Sequence, residues 1–312
     1  MNPKVSVIMP AYNGEKYIGA AIESILNQTY DNWELIIVED QSEDGTIDVI
    51  QKYTDDSRVH LYQNKENRGI SYSTNFAIQK SAGKYIALLD DDDIATSRRL
   101  EWEVAYLEAH KEIDILGGRS ALIDKNGQFI RYDEDPIYNP KLIKAYLLFY
   151  NKKFANCTVM YRKNFIIKNG IRYQENCLGM QDFKFYIDCS KAGTLSSIDY
   201  LVHLKRIHEE QETARRLRTY TKERAELFAK FQKESIEASG FQLDNEEVRV
   251  INEMLPEKAK VDCSKEDISC LYKVFKKMIR QAYEMEIDYL PELKYACKKL
   301  LGNRILIKSN IF

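Results

Sequence analysis

The sequence predicts an α/β protein, with a doubly wound, mostly parallel sheet in residues 1–211 and a helical region in 212–312. Three observations carry this expectation. Short apolar runs recur through the first 120 residues, at VSVIM (5–9), ELIIV (34–38), VHLY (59–62), YIALL (85–89) and IDIL (113–116). Segments with helical spacing lie between them. Beyond residue 212 the chain becomes highly charged, with only Pro256 and Pro291 to interrupt a helical pattern.

Continuous apolar runs of this length fit strands buried on both faces. After the first run, Ile18, Ala21, Ile22, Ile25 and Leu26 fall at i, i+3, i+4, i+7 and i+8, one face of a helix. Ile47, Ile50 and Tyr53 repeat the idea after the second run, and Ser73 to Lys80 after the third. Strands alternating with helices imply βαβ units. From about 120 to 210 the pattern is mixed. DKNGQF (124–129) reads as a hairpin turn and FANCTVMYR (154–162) as a strand leading into a helix start. DFKFYIDCSKA (182–192) reads as a helix, with a strand near Tyr200 to Leu204. Further on, Leu217, Tyr220, Phe228 and Phe231 form an apolar stripe, and 265–301 suggests two more helices.

Composition narrows the function. A chain of 312 residues with 44% hydrophobic and 30% charged residues has ample material for a buried core. Its net charge of −2 argues against a nucleic-acid partner, which needs a basic surface. The N-terminus lacks the apolar core and cleavage site of a signal peptide. No stretch approaches the roughly 18 apolar residues that span a bilayer. The six cysteines are irregularly spaced, without a CxxC pair, which fits reduced and mostly buried thiols rather than disulfides or zinc. A cytoplasmic protein is expected, either free or resting on the inner face of a membrane.

In doubly wound sheets, ligands bind beyond the carboxyl ends of the strands. That rule selects PAYNGE (10–15), EDQSEDGT (39–46) and DDDD (90–93). Alone, EDQSEDGT would be a turn and a helix N-cap. As a ligand loop, it would use Asp40 at the strand tip to accept hydrogen bonds from a base N–H. The four aspartates, Asp90 to Asp93, could be an acidic helix start, since carboxylates suit the positive end of a helix dipole. However, like charges about 4 Å apart repel by roughly 1 kcal/mol even in water. A hard cation, Mg²⁺ or Mn²⁺, would remove that repulsion and take oxygen ligands from carboxylates and substrate phosphates.

Four segments in order, PAYNGEKYI (10–18), SILNQTYDNWELIIVEDQSEDGT (24–46), ENRGISYSTNFAI (66–78) and GKYIALLDDDDI (83–94), resemble the successive signatures of family 2 inverting glycosyltransferases. TVMYRKNFI (158–166), GMQDFKFYI (179–187) and KRIHEEQET (205–213) match more loosely, so the resemblance covers about 3 to 213. It implies a GT-A fold and a nucleotide sugar as donor, a UDP-hexose above all. Carried over, Pro10, Ala11 and Tyr12 line the base and ribose pocket, Asp40 meets the uracil and Arg68 lies near the nucleotide. Asn67, Gly69 and Asn75 look structural. The metal-binding DxD element corresponds to Asp90, Asp91 and Asp92 followed by Asp93, with Asp92 the leading ligand, Asp90 and Asp93 in support and Asp91 in a variable slot. His208 would reach the diphosphate or metal, with Arg206 nearby.

The sequence departs from the family at several positions. Glu39 replaces an aspartate, and Gln41 replaces a glycine, which suggests a slightly different turn. The family's general base is the aspartate of a Glu-Asp pair at a helix start, and here the pair is Gln181 and Asp182. The base is retained beside a neutral amide, which perturbs a carboxylate less than a second carboxylate would. Asp188 reads as solvated or capping.

The expected activity is metal-dependent hexosyl transfer with inversion to an acceptor hydroxyl on a glycan, glycoprotein or lipid-linked intermediate, as in polysaccharide synthesis or protein glycosylation. The alternative is a catalytically inactive module that binds sugar nucleotides. A dehydrogenase is disfavoured because no GxGxxG follows the first strand. A signalling receiver domain is disfavoured because PAYNGE stands where its acidic pair belongs. The nucleotide-binding half is expected at about 1–120 and the acceptor half at 121–211. From Lys265 onward basic residues outnumber acidic ones by ten to six. Those helices read first as packing on the catalytic domain or on a second copy in a homo-oligomer. Peripheral attachment to an anionic membrane surface is the second reading.

Overall fold

A computed structural model describes residues 2–133, 135–150, 156–209, 211, 222–254 and 264–309, with side chains as far as residue 302. Strands β1 (Val5–Ala11), β2 (Trp33–Glu39), β3 (Val59–Gln63) and β4 (Tyr85–Leu88) alternate with helices α1 (Ile18–Leu26), α2 (Thr46–Gln51) and α3 (Ile70–Lys80). The predicted strands and intervening helices therefore form where the two periods placed them. A two-residue strand β5 (Ile94–Ala95) and helix α4 (Arg99–Ala109) follow. Then come β6 (Ile115–Ile123), β7 (Phe129–Tyr132), α5 (Pro140–Leu147), β8 (Met160–Arg162), α6 (Lys163–Lys168), α7 (Gln181–Ala192) and β9 (Leu195–Arg206). The C-terminal region contributes α8 (Lys222–Ala238), α9 (Asn245–Met254), α10 (Lys265–Glu284) and α11 (Leu290–Ser309).

The sheet runs β3-β2-β1-β4-β8-β6-β9-β5, with β7 paired to β6. β1, β2, β3 and β4 are parallel, as are β6 and β9, whereas β8 is antiparallel to both its neighbours. The hairpin at DKNGQF forms as expected: Asp124 Oδ1 accepts from the N–H groups of Asn126 and Gln128, and Gly127 takes φ +83°. Glycine reaches that left-handed region without a Cβ penalty.

Each sheet face is covered. Val5, Val7 and Met9 of β1 and Leu35 and Ile37 of β2 pack with Ile18, Ala21, Ile22 and Ile25 of α1 and with Leu100, Val104 and Leu107 of α4. Ile8, Ile36 and Val38 face the other way, onto Ala77 and Ile78 of α3 and Phe183, Tyr186 and Ile187 of α7. The alternation of β1 between these cores is the period-2 geometry of a strand. A third core joins Ala145 and Tyr146 of α5 to Ile251 of α9, Phe275 of α10 and Leu293 of α11.

Helix α5 links two cores, because Ile143 and Leu147 of the same helix pack on the α7 side. Asn139 caps it, accepting from the N–H groups of Lys141 and Leu142, and Pro140 sits at its first turn. Of the expected apolar stripe, Phe228 and Phe231 pack in the α7 core, with Phe228 stacked 5.2 Å from Phe183, while Leu217 and Tyr220 lie outside the described residues. Among the described cysteines, Cys157, Cys177, Cys189 and Cys297 are buried and Cys270 is exposed, all as free thiols; Cys263 lies outside them. No helix among the described residues is long and apolar enough to cross a membrane.

Candidate functional site

The parallel strands β1, β2 and β4 end at one edge of the sheet, and a cavity of about 950 Å³ opens there. Its first wall comes from two loops that fold onto each other. Asn13 N–H donates to Ser42 Oγ at 3.0 Å, Gly14 N–H to Thr46 Oγ1 at 2.8 Å and Glu15 N–H to Asp44 Oδ2 at 3.2 Å. In return, Glu43 N–H donates to Asn13 Oδ1 at 2.8 Å and Gly45 N–H to Glu15 Oε2 at 3.1 Å. The polar residues of EDQSEDGT thus satisfy the backbone of PAYNGE, and the two loops form one unit. Pro10, Ala11 and Tyr12 line the cavity beside it.

Asp40 is buried at the tip of β2 and also lines the cavity. Its Oδ1 accepts from Arg68 N–H at 2.9 Å and Asn64 Nδ2 at 2.6 Å, and its Oδ2 from Gly69 N–H at 2.7 Å. A carboxylate offers about four acceptor positions, so three are taken by the chain. Asp40 therefore holds the 64–69 loop in place before α3, and it presents Arg68, whose guanidinium lies 4.2 Å over the Tyr72 ring. Neighbouring Glu39 is buried and serves the loops, accepting from Ser42 N–H and from Gln63 Nε2. Gln41 takes φ +60°, a conformation that favours glycine, so the backbone makes a glycine-type turn with a glutamine in it. Gln41 Nε2 donates to the Asn64 carbonyl.

The four adjacent aspartates have four different sets of partners. Cys157 Sγ donates to Asp90 Oδ2 at 2.7 Å. Tyr12 N–H donates to Asp91 Oδ2 at 3.0 Å. Asp92 Oδ2 meets His208 Nε2 at 2.9 Å, and the His208 ring lies 4.7 Å from that of Tyr17. Asp93, 2% exposed, accepts from Arg206 N–H at 2.8 Å and pairs with His203 Nε2 at 2.8 Å. Asp90, Asp91, Asp92 and His208 line the cavity, whereas Asp93 points back into β9. The contact of Asp91 with the first loop explains Gly14, where a Cβ would come within 2.6 Å of Asp91 Oδ2.

Burial and mutual repulsion make Asp90, Asp91 and Asp92 reluctant to ionise. Burial first, then the charges of Asp93, Asp90 and Asp91, pushes Asp92 up to about 9. Burial likewise pushes Asp91 up to about 7 and raises Asp90. Asp90, Asp92 and Asp93 can each aim one oxygen into a group whose atoms lie within 4.8 Å of one another. An all-oxygen set with surplus negative charge suits a hard divalent cation. The residues present therefore fit Mn²⁺ or Mg²⁺, and of the three, Asp90 and Asp92 line the cavity.

Arg206 does not enter the cavity lining. Its Nε donates to the Asp92 carbonyl at 3.0 Å and its guanidinium packs 4.8 Å over the Tyr17 ring. It acts as a brace behind the aspartates.

The opposite wall is of another kind. Glu175, Asn176, Cys177, Leu178 and Gly179 form a turn ahead of α7, and Gln181 follows them along the cavity. Asn176 and Leu178 take φ +58° and +46°, unusual for residues with a Cβ. Arg224 of α8 donates to the Leu178 carbonyl at 3.0 Å, and Arg224 and Glu223 both line the cavity. Asp182 sits in the first turn of α7, half-buried, with Oδ1 accepting from Phe183 N–H at 2.7 Å. Its neighbour Gln181 lines the cavity, whereas the expected base Asp182 is not among the lining residues. Asp188 pairs with Lys184 and Lys191, away from the site.

One cavity edge thus gathers Pro10, Ala11, Tyr12, Asp40, Arg68, Asp90, Asp91, Asp92 and His208 from among the expected residues, whereas Asp93 and Asp182 are not in its lining. Sequence reading missed the 175–179 turn, Glu223, Arg224 and the partners Cys157 and His203. The strained turn carries no period, and the others lie far along the chain from the motifs they join.

The family model for glycosyl transferase family 2 matches residues 6–171. The chain is 43% identical over 127 residues to the putative glycosyltransferase EpsE of Bacillus subtilis, covering 40% of this chain and 46% of that protein. It is 35% identical over 158 residues to an Escherichia coli protein, UDP-Glc:alpha-D-GlcNAc-diphosphoundecaprenol beta-1,3-glucosyltransferase WfgD, covering 50% of this chain and 56% of WfgD. The matches therefore span about half the length of these relatives. Among solved structures, S. aureus TarS in complex with UDP-GlcNAc superposes with a TM-score of 0.64 at 20% identity, over 99% of this chain and 91% of that one. That likeness establishes the same GT-A fold.

Proposed function

The chain belongs to glycosyl transferase family 2, and from that premise we propose that it moves a hexosyl group from a UDP-sugar to an acceptor hydroxyl with inversion. The observation that carries this reading is the meeting of the 10–14 loop, Asp40, Arg68 and Asp90 to Asp92 around one cavity at the strand ends. Names of similar proteins support the donor and the setting: TarS is described with UDP-GlcNAc, and WfgD as a glucosyltransferase acting on a diphosphoundecaprenol-linked sugar. A lipid-linked or glycan acceptor in polysaccharide synthesis is the corresponding proposal here.

Each residue has a defined task in this reading. Tyr12, partly exposed at the cavity edge, offers a face for the base, while Pro10 and Ala11 close the ribose side. Asp40 keeps the Arg68 loop in place and has one acceptor position left for a base N–H. Asp92, with Asp90 and Asp93, would hold Mn²⁺ or Mg²⁺. When bound, the cation stabilises the charge that builds on the departing diphosphate. His208 orients Asp92 and faces the same space. Asp182, at the start of α7, is the proposed base that takes the acceptor proton on the opposite side of the cavity. Residues 1–211 would form the catalytic unit, with α8 completing its mouth through Glu223 and Arg224.

The test is a panel of UDP-sugars incubated with the protein and Mn²⁺, read as UDP release with and without lipid-linked acceptors. Release with one sugar, abolished by chelation, supports metal-dependent transfer. Tight UDP binding with no release from any sugar would favour the binding-module alternative.

A further inference from the structure

Behind the carboxylates that face the cavity lies a second group of donors, of different chemistry. Asp93, Cys157 and His203 are all buried, and one carboxylate oxygen, the sulfur and one ring nitrogen lie within 4.8 Å of one another. They come from the loop after β4, the turn at 156–158 before β8, and strand β9. We propose that these three side chains form a second cation site, selective for a thiophilic divalent ion such as Zn²⁺, which shares Asp93 with the oxygen-only group beside the cavity.

The donor set is the first reason. Oxygen-only groups suit Mg²⁺ and Mn²⁺, whereas one sulfur, one imidazole and one carboxylate suit the borderline-soft Zn²⁺ in a tetrahedral arrangement. Three protein ligands leave a fourth position for water, or for Asp90, whose Oδ2 already touches the Cys157 sulfur at 2.7 Å. The second reason is the imidazole's other nitrogen. Metal-bound histidines characteristically use their remaining ring N–H on an outer partner that fixes the tautomer. Here His203 Nδ1 lies 2.9 Å from Ser120 Oγ, on β6, while Nε2 faces Asp93. The ring is held in the orientation that ligation through Nε2 requires.

Access and charge also fit. Asp90 lines the cavity and touches Cys157, so an ion reaches the trio by passing that carboxylate. With Asp90 as the fourth ligand the filled site carries one net negative charge, which Lys205, within electrostatic reach of Cys157, Asp93 and Asp90, offsets. On binding, the Cys157 thiol proton leaves to solvent, His203 passes its ring proton to Nδ1 and donates it to Ser120, and no electron is transferred.

Full-length protein titrated with Co²⁺ tests the proposal, because cobalt reports sulfur ligation by absorption. The expected result is a near-ultraviolet sulfur-to-cobalt band with the visible bands of tetrahedral Co²⁺, displaced by Zn²⁺ and absent from Cys157→Ser. Ser120→Ala should keep the band and weaken Co²⁺ binding roughly tenfold or more. X-ray absorption on the native protein with one equivalent of Zn²⁺ needs no variant. It should show one sulfur at about 2.3 Å. A zinc shell of nitrogen and oxygen alone, or an unchanged cobalt band in Cys157→Ser, overturns the assignment. These readouts follow metal binding, not sugar transfer, so their failure would leave the transferase reading standing.

Discussion

The two walls of the cavity hold their shape by different means. The wall at residues 10–15, 40 and 90–92, the proposed donor side, consists of strand ends in hydrogen-bonded register, with Ile8 opposite Ile36 and Leu88. Its carboxylates accept mainly backbone N–H groups, at Tyr12, Arg68 and Gly69. On the proposed acceptor side, the wall is a turn with two left-handed residues, Asn176 and Leu178, pinned by Arg224 from a helix more than forty residues away. Strand register sets the first wall, whereas the second combines burial of Cys177 in the α7 core with a long-range hydrogen bond from Arg224 and two left-handed residues. In the proposed reaction, that division would set a constant nucleotide pocket against an adjustable acceptor surface.

The comparison can be broken most directly at Asp182. Asp182→Asn should lower turnover by about 10²- to 10⁴-fold while leaving UDP binding intact by calorimetry; retained turnover removes Asp182 from the base role. On the donor side, Asp92→Asn should weaken Mn²⁺-dependent UDP binding by roughly 10- to 100-fold, and an unchanged titration would reject it as a ligand. Asp40→Ala should act through the fold. It strands the N–H groups of Arg68 and Gly69, and urea unfolding should show a loss of about 3 kcal/mol.

Smaller effects sharpen the acceptor side. Arg224→Ala releases the Leu178 carbonyl at a partly exposed site, so stability should move by no more than about 0.5–1 kcal/mol. Acceptor KM should rise with UDP affinity unchanged, and a fall in UDP affinity would show that the two walls are not separable. Gln41→Gly should be the mildest. Relief of the left-handed strain, about 1 kcal/mol or more, competes with loss of the bond to the Asn64 carbonyl. A net gain of about 1 kcal/mol or less is expected on thermal melting. A loss would mean that the Gln41 side chain matters more than its backbone.

Legibility in the sequence followed the same division. Strands β1 to β4, their helices and the three loops at their ends were readable because apolar runs and helical spacing are local signals. The turn at Gln41 shows the limit: its replacement of glycine suggested a changed turn, yet the backbone keeps the glycine-like φ and the side chain adapts. Strand β5 and helix α4 were not anticipated, since two residues make no period and the α4 stripe is interrupted by buried Arg99 and Glu103, which pair at 3.2 Å.

What the sequence determined by itself was the presence of four adjacent carboxylates at a strand end, because composition and periodicity along a short segment suffice for that. Their separate roles were decided by tertiary structure alone. Asp90 meets Cys157, Asp91 meets Tyr12, Asp92 meets His208 and Asp93 meets His203 and Arg206, across sequence separations of 67 to 116 residues. Contacts at such distances leave no pattern in the chain, since sheet order and loop packing, not spacing, bring the partners together.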